Sequence, residues 1–325
     1  MHILITGAAG MVGRKLIERL AGDQSLNGQP IDKLTLFDVV AATAPQNINT
    51  TITTADLSDD GVAQTLIAER PDVIFHLAGV VSGEAETDFD KGYRVNLDGM
   101  RNLLEAIRHV GDGYKPKVIY TSSIAVFGAP FPHSIPDDFH LTPLTSYGAQ
   151  KVIGETLLAD YTRRGFLQGV GIRLPGITVR PGKPNKAASG FYSAIIREPL
   201  AGQEAILPVS EDVVNTHASP RAAAGFLVHA ASLDPEKLGP RINLTMPGVC
   251  CTIGEQIEAL RRVAGERVVS RIRREPDPFI MGIVAGWSTR FDATRARALG
   301  FTAEDTFDDI IRIHIADDLG GNFVR

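Results

Sequence analysis

A glycine-rich segment stands between the first apolar run of the chain and its first helical pattern, and it constrains the fold strongly. It reads Thr6-Gly7-Ala8-Ala9-Gly10-Met11-Val12-Gly13. At this spacing the first glycine permits a tight turn, the second lets a pyrophosphate approach the backbone and the third lets the helix pack on the strand. The helix N-terminus then faces the phosphates. We predict a dinucleotide site here that also includes Met11 and Val12; a turn without a ligand is the alternative.

Strand-like and helical segments alternate through the first half of the chain. The apolar runs are 2–6, 34–38, 73–77, 117–122 and 169–174, with a weaker one at 49–53, and the amphipathic patterns lie near 12–21, 60–69, 91–110 and 147–164. This alternation is typical of a parallel sheet that is covered on both faces. We therefore predict an α/β fold, a Rossmann-type doubly wound parallel sheet with helices on both faces.

The last third of the chain predicts a smaller C-terminal α/β lobe that binds the substrate. Over this mixed part of the chain helical patterns lie near 190–201, 219–232, 253–264 and 305–318, and short strands at 205–209, 241–245 and 267–273. The stretch 212–245 is expected to return to the main domain. Prolines and glycines interrupt the periodicity over 175–190, which is typical of an irregular functional loop. We assign residues 1–174 and about 212–245 to the nucleotide-binding domain, and about 175–211 and 246–325 to the lobe.

Composition excludes several classes of partner. A net charge of −5 over 325 residues gives no reason to expect nucleic acid or an acidic membrane surface. The apolar runs are too short for a membrane span, and the chain opens directly on a strand, so we expect no export and a cytoplasmic protein. Cys250 and Cys251 are adjacent, which suits neither a disulfide nor a metal site, and we predict no metal.

Acidic residues follow the second and third strands and predict the cofactor. Asp38 stands where a carboxylate would accept hydrogen bonds from the adenosine ribose. A carboxylate there repels a 2′-phosphate, so NAD is favoured over NADP. Asp56 and Leu57 are candidates for the adenine edge, and an ordinary surface or capping role is the alternative for both aspartates.

The next strand ends in His76-Leu77-Ala78-Gly79. The small residues after Leu77 would let a dinucleotide lie close to the backbone, so Leu77, Ala78 and Gly79 are cofactor candidates. We interpret His76 as a structural histidine. Asn96 is a further candidate, because its amide is placed to brace this strand end through backbone hydrogen bonds.

Tyr147 and Lys151 are four residues apart on a predicted helix, so they share one face. A nearby ammonium favours the phenolate, so we expect Lys151 to lower the pKa of Tyr147 towards neutral pH. Such a phenol can take a proton from an alcohol while a hydride leaves the same carbon. The strand before it ends in Thr121-Ser122-Ser123, which offers further hydroxyl groups.

These residues resemble the extended short-chain dehydrogenase/reductase superfamily. The shared motifs are TGxxGxxG, the strand-end Asp, HLAG, NxxG, TSSxAVFG and YGxxK, and they cover roughly residues 1–182 in order. The resemblance implies that Tyr147 is the acid/base, that Lys151 binds the nicotinamide ribose and that Ser123, rather than Ser122, contacts the substrate oxygen. Pro175 and Ile177 join the cofactor candidates. Phe127 replaces the usual tyrosine, a mild departure.

The segment after the last sheet strand bears on the substrate. Nucleotide-sugar epimerases of the superfamily usually carry Arg-x-x-Asn there, whereas this chain has Gly176 in place of the Asn. The following loop brings Arg180 and Lys183, and a guanidinium can bind a carboxylate through two hydrogen bonds. We therefore favour a small hydroxy acid as substrate, with surface charge as the alternative for both residues.

A second resemblance, to the D-erythronate dehydrogenase family, covers nearly the whole chain. It rests on the segments 173–200, 80–86 and 217–221. It implies NAD-dependent oxidation of the C2 hydroxyl of D-erythronate to 2-oxo-tetronate, with Ser82 and His217 as further substrate candidates and a structural role as the alternative for His217. A homodimer through the helices near 91–110 and 147–164 is an expectation of the superfamily. Three alternatives stay open: a uronate or other sugar-acid dehydrogenase, a nucleotide-sugar epimerase and a non-catalytic redox sensor.

Overall fold

The structure is a computed structural model that describes residues 1–182 and 189–324. In these ranges the strands are β1 (His2–Thr6), β2 (Ser25–Leu26), β3 (Gln29–Pro30), β4 (Lys33–Asp38), β5 (Thr50–Thr54), β6 (Val73–His76), β7 (Lys117–Ser123), β8 (Gln168–Leu174), β9 (Gly176–Ile177), β10 (Ala205–Leu207), β11 (Val214–Ala218), β12 (Asn243–Thr245), β13 (Val249–Thr252) and β14 (Ile272–Arg274).

The helices alternate with these strands through most of the chain. They are α1 (Met11–Asp23), α2 (Val62–Ala68), α3 (Ser82–Thr87), α4 (Phe89–Tyr93), α5 (Gly99–Val110), α6 (Ser146–Arg163), α7 (Gly190–Leu200), α8 (Pro220–Ser232), α9 (Pro235–Leu238), α10 (Ile253–Ala264), α11 (Glu266–Val269), α12 (Pro278–Val284), α13 (Thr294–Ala298) and α14 (Phe307–Asp318). A π-helical turn, Arg94–Asp98, joins α4 to α5. None of the helices in the described ranges is long and apolar enough to cross a membrane.

Seven parallel strands form the central sheet in the order β12-β8-β7-β6-β1-β4-β5. One core cluster joins the sheet to α1 and α8, through side chains such as Leu16 and Leu227. A second joins the sheet to α2, α5 and α6, through Leu66, Leu104 and Leu158. Apolar burial on both faces explains why the strands are continuous runs rather than alternating ones. The predicted fold class, a doubly wound parallel sheet with helices on both faces, is confirmed.

The register of the sheet brings the predicted site residues to one edge. Thr6 pairs with His76 across β1 and β6, and Ser123 pairs with Leu174 across β7 and β8. Asp38 ends the neighbouring strand β4. In an open α/β sheet, ligands bind at the carboxyl ends of the strands. The glycine loop, the strand-end acid and the serine therefore surround one crevice.

A separate core forms beyond the sheet. Its buried side chains come from α7, α10, α14 and the strands β10 and β14. A three-stranded sheet, in the order β13-β11-β9, runs between this core and the end of β8. The division of the chain into a nucleotide-binding domain and a substrate lobe stays a prediction.

One predicted strand is wrong in its first half. Residues 267–273 were expected to be extended, but Glu266–Val269 form the short helix α11 and only Ile272–Arg274 are a strand. Gly265 ends α10 with a φ of 90° and redirects the chain. Val268 and Val269 are both buried in this helical turn, whereas in a strand they would point to opposite faces.

Candidate active site

Helix α6 carries the predicted acid/base pair at its N-terminal end. The hydroxyl of Thr145 caps the helix by accepting a hydrogen bond from the backbone of Gly148, at 3.1 Å. A side chain at position 148 would lie 2.3 Å from the carbonyl oxygen of Ala125, so only glycine lets α6 pack this closely on the segment that follows β7. This contact brings Tyr147 to the end of that strand.

The two serines at the end of β7 have different partners. The Ser123 hydroxyl lies close enough to Tyr147 to lower the pKa of the phenol, against the larger effect of burial, and it accepts a hydrogen bond from the backbone of Ala125, at 3.2 Å. Ser122 instead donates to the buried carboxylate of Glu155, at 2.5 Å. The geometry thus groups Ser123 with Tyr147, as the predicted site requires, and Ser122 with the core.

The pKa of Tyr147 is raised, which differs from the expected lowering. Burial raises it, and the Ser123 hydroxyl and the positive charge of Arg180 oppose that effect without cancelling it. Lys151 is not the cation that acts on the phenol. Its Nζ lies 5.6 Å from the centre of the Tyr147 ring and donates a hydrogen bond to the backbone oxygen of Thr121, at 2.8 Å.

Lys151 is 5% exposed and sits between two aromatic rings. Besides Tyr147, its Nζ lies 4.8 Å from the centre of the Tyr120 ring. Burial lowers the pKa of Lys151 to about 8, while the negative charge of Glu155, one helical turn further along α6, opposes the shift. The ammonium therefore keeps its charge at neutral pH.

The glycine loop has the geometry of a dinucleotide cradle. Gly7 has a φ of 75°, and a Cβ there would lie 2.6 Å from the backbone of Leu77 and Ala78. A Cβ at Gly13 would lie 2.3 Å from the carbonyl oxygen of Gly7. Gly10 is the N-cap of α1 and no side chain caps the helix, so the first-turn amides of Met11 and Val12 face the crevice.

Asp38 is tied to this loop. One carboxylate oxygen accepts a hydrogen bond from the backbone of Ala9 at 2.9 Å, and the other accepts one from Val39 at 2.7 Å. The carboxylate is thus fixed beside the phosphate cradle, where a ribose diol would be recognised and a 2′-phosphate repelled. The loop and this acid together fit NAD.

The other predicted cofactor residues surround the same crevice. Asp56 accepts hydrogen bonds from Ser58 and is paired with Arg94 at 2.8 Å, while Leu57 is 5% exposed. Pro175 and Ile177 are buried at the end of β8 and in β9. Whether these residues contact NAD stays a prediction.

Asn96 braces the end of β6 through both ends of its amide. Its Oδ1 accepts a hydrogen bond from the backbone of Val80 at 2.9 Å, and its Nδ2 donates to the Val80 oxygen at 3.3 Å. Nδ2 also donates to Gln150 on α6, at 2.7 Å. A Cβ at Gly79 would lie 2.8 Å from Asn96 Oδ1 and 3.8 Å from Lys151 Nζ. Asn96 therefore holds the strand end against α6.

The predicted substrate residues lie in different surroundings. Ser82 is exposed at the first position of α3. Helix α3 contacts the start of α6 through Glu86, which accepts a hydrogen bond from the backbone of Ser146. Lys183 lies outside the described residues. Arg180 is half-buried; its Nε donates to the Ile177 oxygen and its outer nitrogen donates to the Ser189 hydroxyl, both at 3.1 Å.

His217 is completely buried, which its sequence context did not reveal. Its Nδ1 hydrogen bonds with Thr178 at 3.1 Å and its Nε2 with Gln256 at 2.9 Å. Burial and the nearby charge of Arg180 lower the pKa of His217 to about 3, so the ring is neutral. With both nitrogens occupied, the ring orders the wall behind Arg180 instead of presenting a free nitrogen to the crevice.

Sequence reasoning missed a buried polar network behind the site. Glu155 accepts two hydrogen bonds from Arg173, at 2.9 and 2.8 Å, in addition to the one from Ser122. Arg173 also donates to the backbone of Asp137, whose carboxylate pairs with Arg295 at 2.8 Å. The eight-residue spacing from Tyr147 to Glu155 was the available signal, because it places Glu155 on the same helical face.

The site geometry agrees with what the chain is similar to. The model of the NAD dependent epimerase/dehydratase family matches residues 3–216. A protein of Cupriavidus necator named D-erythronate dehydrogenase is 48% identical and covers 98% of each chain. One of Haemophilus influenzae with the same name is 39% identical over 98% of this chain and 100% of its own.

Solved structures give the same result for the fold. A crystal structure from Agrobacterium tumefaciens, described as a nucleoside-diphosphate-sugar epimerase, superposes with a TM-score of 0.97 at 62% identity, covering 99% of this chain and 95% of that one. The predicted family resemblance and NAD as cofactor are confirmed. Because the family match covers more than half of the chain and these relatives align over nearly all of it, the chain belongs to the NAD dependent epimerase/dehydratase family, with NAD as its cofactor.

Proposed function

We propose that this protein is an NAD-dependent dehydrogenase that oxidises the C2 hydroxyl of a small sugar acid, D-erythronate, to the 2-oxo acid. The observation that carries the proposal is the half-buried guanidinium of Arg180, held by the Ile177 oxygen after β8 and near enough to Tyr147 that its charge opposes the rise in the pKa of the phenol. The two full-length relatives named D-erythronate dehydrogenase support the choice of substrate.

Arg180 is suited to bind the carboxylate of the substrate. No carboxylate of the described chain pairs with it, and burial lowers its pKa, so the cation has little solvent and no internal counter-ion. A half-buried guanidinium in this situation favours an anionic ligand. Its hydrogen bonds to Ile177 and Ser189 hold it in place and still leave donors for the ligand.

Tyr147 and Ser123 perform the proton transfer in this proposal. The Ser123 hydroxyl acts on the Tyr147 phenol, so the two groups are near neighbours and an alcohol oxygen can contact both hydroxyls. NAD, when bound, would supply the acceptor for the hydride that leaves C2 with its electron pair. Tyr147 first releases its phenolic proton to solvent, a step that burial opposes and the charge of Arg180 assists. It then takes the proton of the C2 hydroxyl, and the carbon–oxygen double bond forms as the C–H bond breaks. Orientation and proton transfer then supply the acceleration.

Lys151 positions the cofactor ribose and the strand end together. Its ammonium already donates to Thr121 on β7 and lies beside the Tyr147 ring, so further donors remain for a ribose hydroxyl. Gly79 lies next to the same ammonium, and the absence of a side chain there leaves room for the ribose. Glu155 helps to keep Lys151 charged.

The test is a panel of four- to six-carbon sugar acids with NAD, in which release of NADH is followed by absorbance. The proposal expects NADH release with D-erythronate and a lower kcat/KM with uronates. Absence of NADH release with every acid would overturn it. The description of the Agrobacterium tumefaciens structure favours a second candidate, a nucleotide-sugar epimerase. Adding UDP-sugars tests this, because an epimerase interconverts them without releasing NADH.

Finer properties accompany this proposal. We propose a substrate lobe formed around the core of α7, α10 and α14, which faces the carboxyl edge of the sheet. Phe89 is 58% exposed and its ring centre lies 4.5 Å from that of Tyr93 in a tilted arrangement, next to the surface of α5 and α6, which supports a homodimer through those helices. The free thiols of Cys250 and Cys251 support a cytoplasmic enzyme. Light scattering of the purified protein tests the homodimer.

A further inference from the structure

Gly176 and Asn215 face each other across two paired strands. Gly176 in β9 is the register partner of His217 in β11, two residues beyond Asn215. A Cβ at position 176 would lie 3.0 Å from the Nδ2 atom of Asn215 and 3.5 Å from Nδ1 of His217. The side-chain amide of Asn215 thus occupies the space beside Gly176, and any side chain at position 176 would press on it.

The amide presents its donor end to this space. Oδ1 of Asn215 accepts a hydrogen bond from the backbone of Thr216 at 2.9 Å, which fixes the orientation of the amide. Nδ2 has no hydrogen-bond partner among the residues that the structure describes, and Asn215 is 7% exposed. The residue is buried, but Nδ2 is not among the completely enclosed unpaired atoms, so it borders space that solvent or a ligand can reach. A free donor held in that position can pair with an acceptor atom of a ligand.

Three observations place this donor at the active site. Gly176 lies two residues beyond Leu174, which pairs with Ser123. The guanidinium of Arg180 donates to the oxygen of Ile177, the residue directly after Gly176. The charge of Arg180 also acts on His217, the neighbour of Asn215 in space. The amide therefore lies on the wall that joins Ser123 to Arg180.

We propose that Nδ2 of Asn215 donates a hydrogen bond to the carboxylate of the sugar acid and selects the substrate jointly with Arg180. The proposal rests on the proposed function and adds a binding residue to it. A carboxylate has about four acceptor positions, of which a guanidinium uses two, so an amide donor can bind alongside Arg180. Gly176 is then required because a side chain there would cover the donor.

The experiment compares Asn215→Asp with the wild-type protein. Aspartate has the same shape and keeps the acceptor for Thr216, but it replaces the donor with a negative charge. We expect KM for D-erythronate to rise about 100-fold, because a charged hydrogen bond is lost. Erythritol, the neutral polyol of the same length, serves as alternative substrate or competitive inhibitor, and we expect its KM or Ki to rise less than tenfold.

Two further variants separate recognition from folding. Asn215→Ser retains a short donor, and we expect a smaller rise in KM than for aspartate. Gly176→Ala places a methyl group against Nδ2, and we expect it to raise KM for D-erythronate as well. The Kd for NAD and the Tm of each variant, measured by calorimetry, report folding; we expect both to stay near the wild-type values.

The outcomes distinguish the two levels of the proposal. The role of Asn215 is overturned if Asn215→Asp leaves KM for D-erythronate unchanged, or if it raises the KM or Ki of the acid and of the neutral polyol by the same factor. In either case the proposed function still stands as long as the wild-type protein oxidises the acid. A wild-type protein that neither binds nor oxidises D-erythronate overturns the proposed function, and the role of Asn215 with it.

Discussion

The carboxylate of Glu155 and the guanidinium of Arg173 form a two-point ion pair that is almost completely buried, with side-chain exposures of 2% and 6%. The pair links α6, which carries Tyr147 and Lys151, to β8, which leads into Gly176. It lies directly behind the candidate site, since Ser122 donates to the same carboxylate. The alignment of helix and sheet at the site therefore depends on this pair.

Glu155→Gln should destabilise the protein strongly. Glutamine keeps the shape of the side chain but leaves the Arg173 charge buried without a counter-ion, which costs about 3–5 kcal/mol in free energy of unfolding. Urea unfolding followed by circular dichroism measures this. The double variant Glu155→Gln with Arg173→Met should lose less free energy of unfolding than Glu155→Gln alone, because no buried charge is then left unpaired. A free energy of unfolding for Glu155→Gln within about 1 kcal/mol of the wild-type value would contradict the expectation.

Tyr147→Phe should abolish most of the activity and leave the cofactor site intact. The phenol is the proton acceptor in the proposed reaction, so kcat should fall by about 10²–10⁴-fold. Calorimetry should give a Kd for NAD close to that of the wild type. Tyr120→Phe is the matched control, since the Tyr120 hydroxyl is buried near Lys151 and has no hydrogen-bond partner among the described residues. Near-normal turnover in Tyr147→Phe would remove Tyr147 from its catalytic role.

Arg180→Ala should affect acids far more than neutral polyols. Removing a guanidinium that binds a carboxylate through two hydrogen bonds should raise KM for D-erythronate by about 100-fold or more. Arg180→Lys keeps the charge but not the planar pair of donors, so its KM should fall between those of wild type and alanine. Steady-state kinetics with D-erythronate and erythritol measure both. An equal effect on the two compounds would argue against carboxylate binding.

The sequence was sufficient to place the main site residues at the carboxyl edge of the central sheet. Strand–helix alternation dictates the sheet, and strand ends in a parallel sheet share one edge, so Gly7, Asp38 and Ser123 could be brought together without coordinates. The helical period likewise placed Tyr147 and Lys151 on one face. These features are local, and local spacing is what a sequence reports directly.

Properties that depend on contacts between distant segments were not predictable. The pairing of β9 with β11 brings Gly176 beside Asn215, although 39 positions separate them in the chain. The predicted direction of the Tyr147 pKa shift was wrong for two reasons. Burial of the phenol depends on the whole surrounding structure, and the Lys151 ammonium donates to Thr121 instead of acting on the phenol. The burial of His217 has the same origin: Thr178 and Gln256 reach it from separate elements.

Two buried histidines should make the stability of the protein sensitive to mild acid. Burial lowers the pKa of both His76 and His217 to about 3, compared with 6.5 when the chain is unfolded. Between these values the unfolded chain binds more protons than the folded protein, so the free energy of unfolding falls as the pH drops below 6.5. Each histidine should lower the free energy of unfolding by about 2 kcal/mol between pH 7.5 and pH 5.

Urea unfolding at pH 7.5, 6.5 and 5.0 measures this loss, in a range where most carboxylates are still ionised. His217→Gln can keep hydrogen bonds to Thr178 and Gln256 but has no proton to take up, so its loss between pH 7.5 and pH 5 should be about half that of the wild type. His76→Gln should behave in the same way through its contact with Thr6. If the wild-type protein were equally stable at pH 7.5 and pH 5, the two rings would not be held neutral, and the wall behind Arg180 would be more open to water than the geometry indicates.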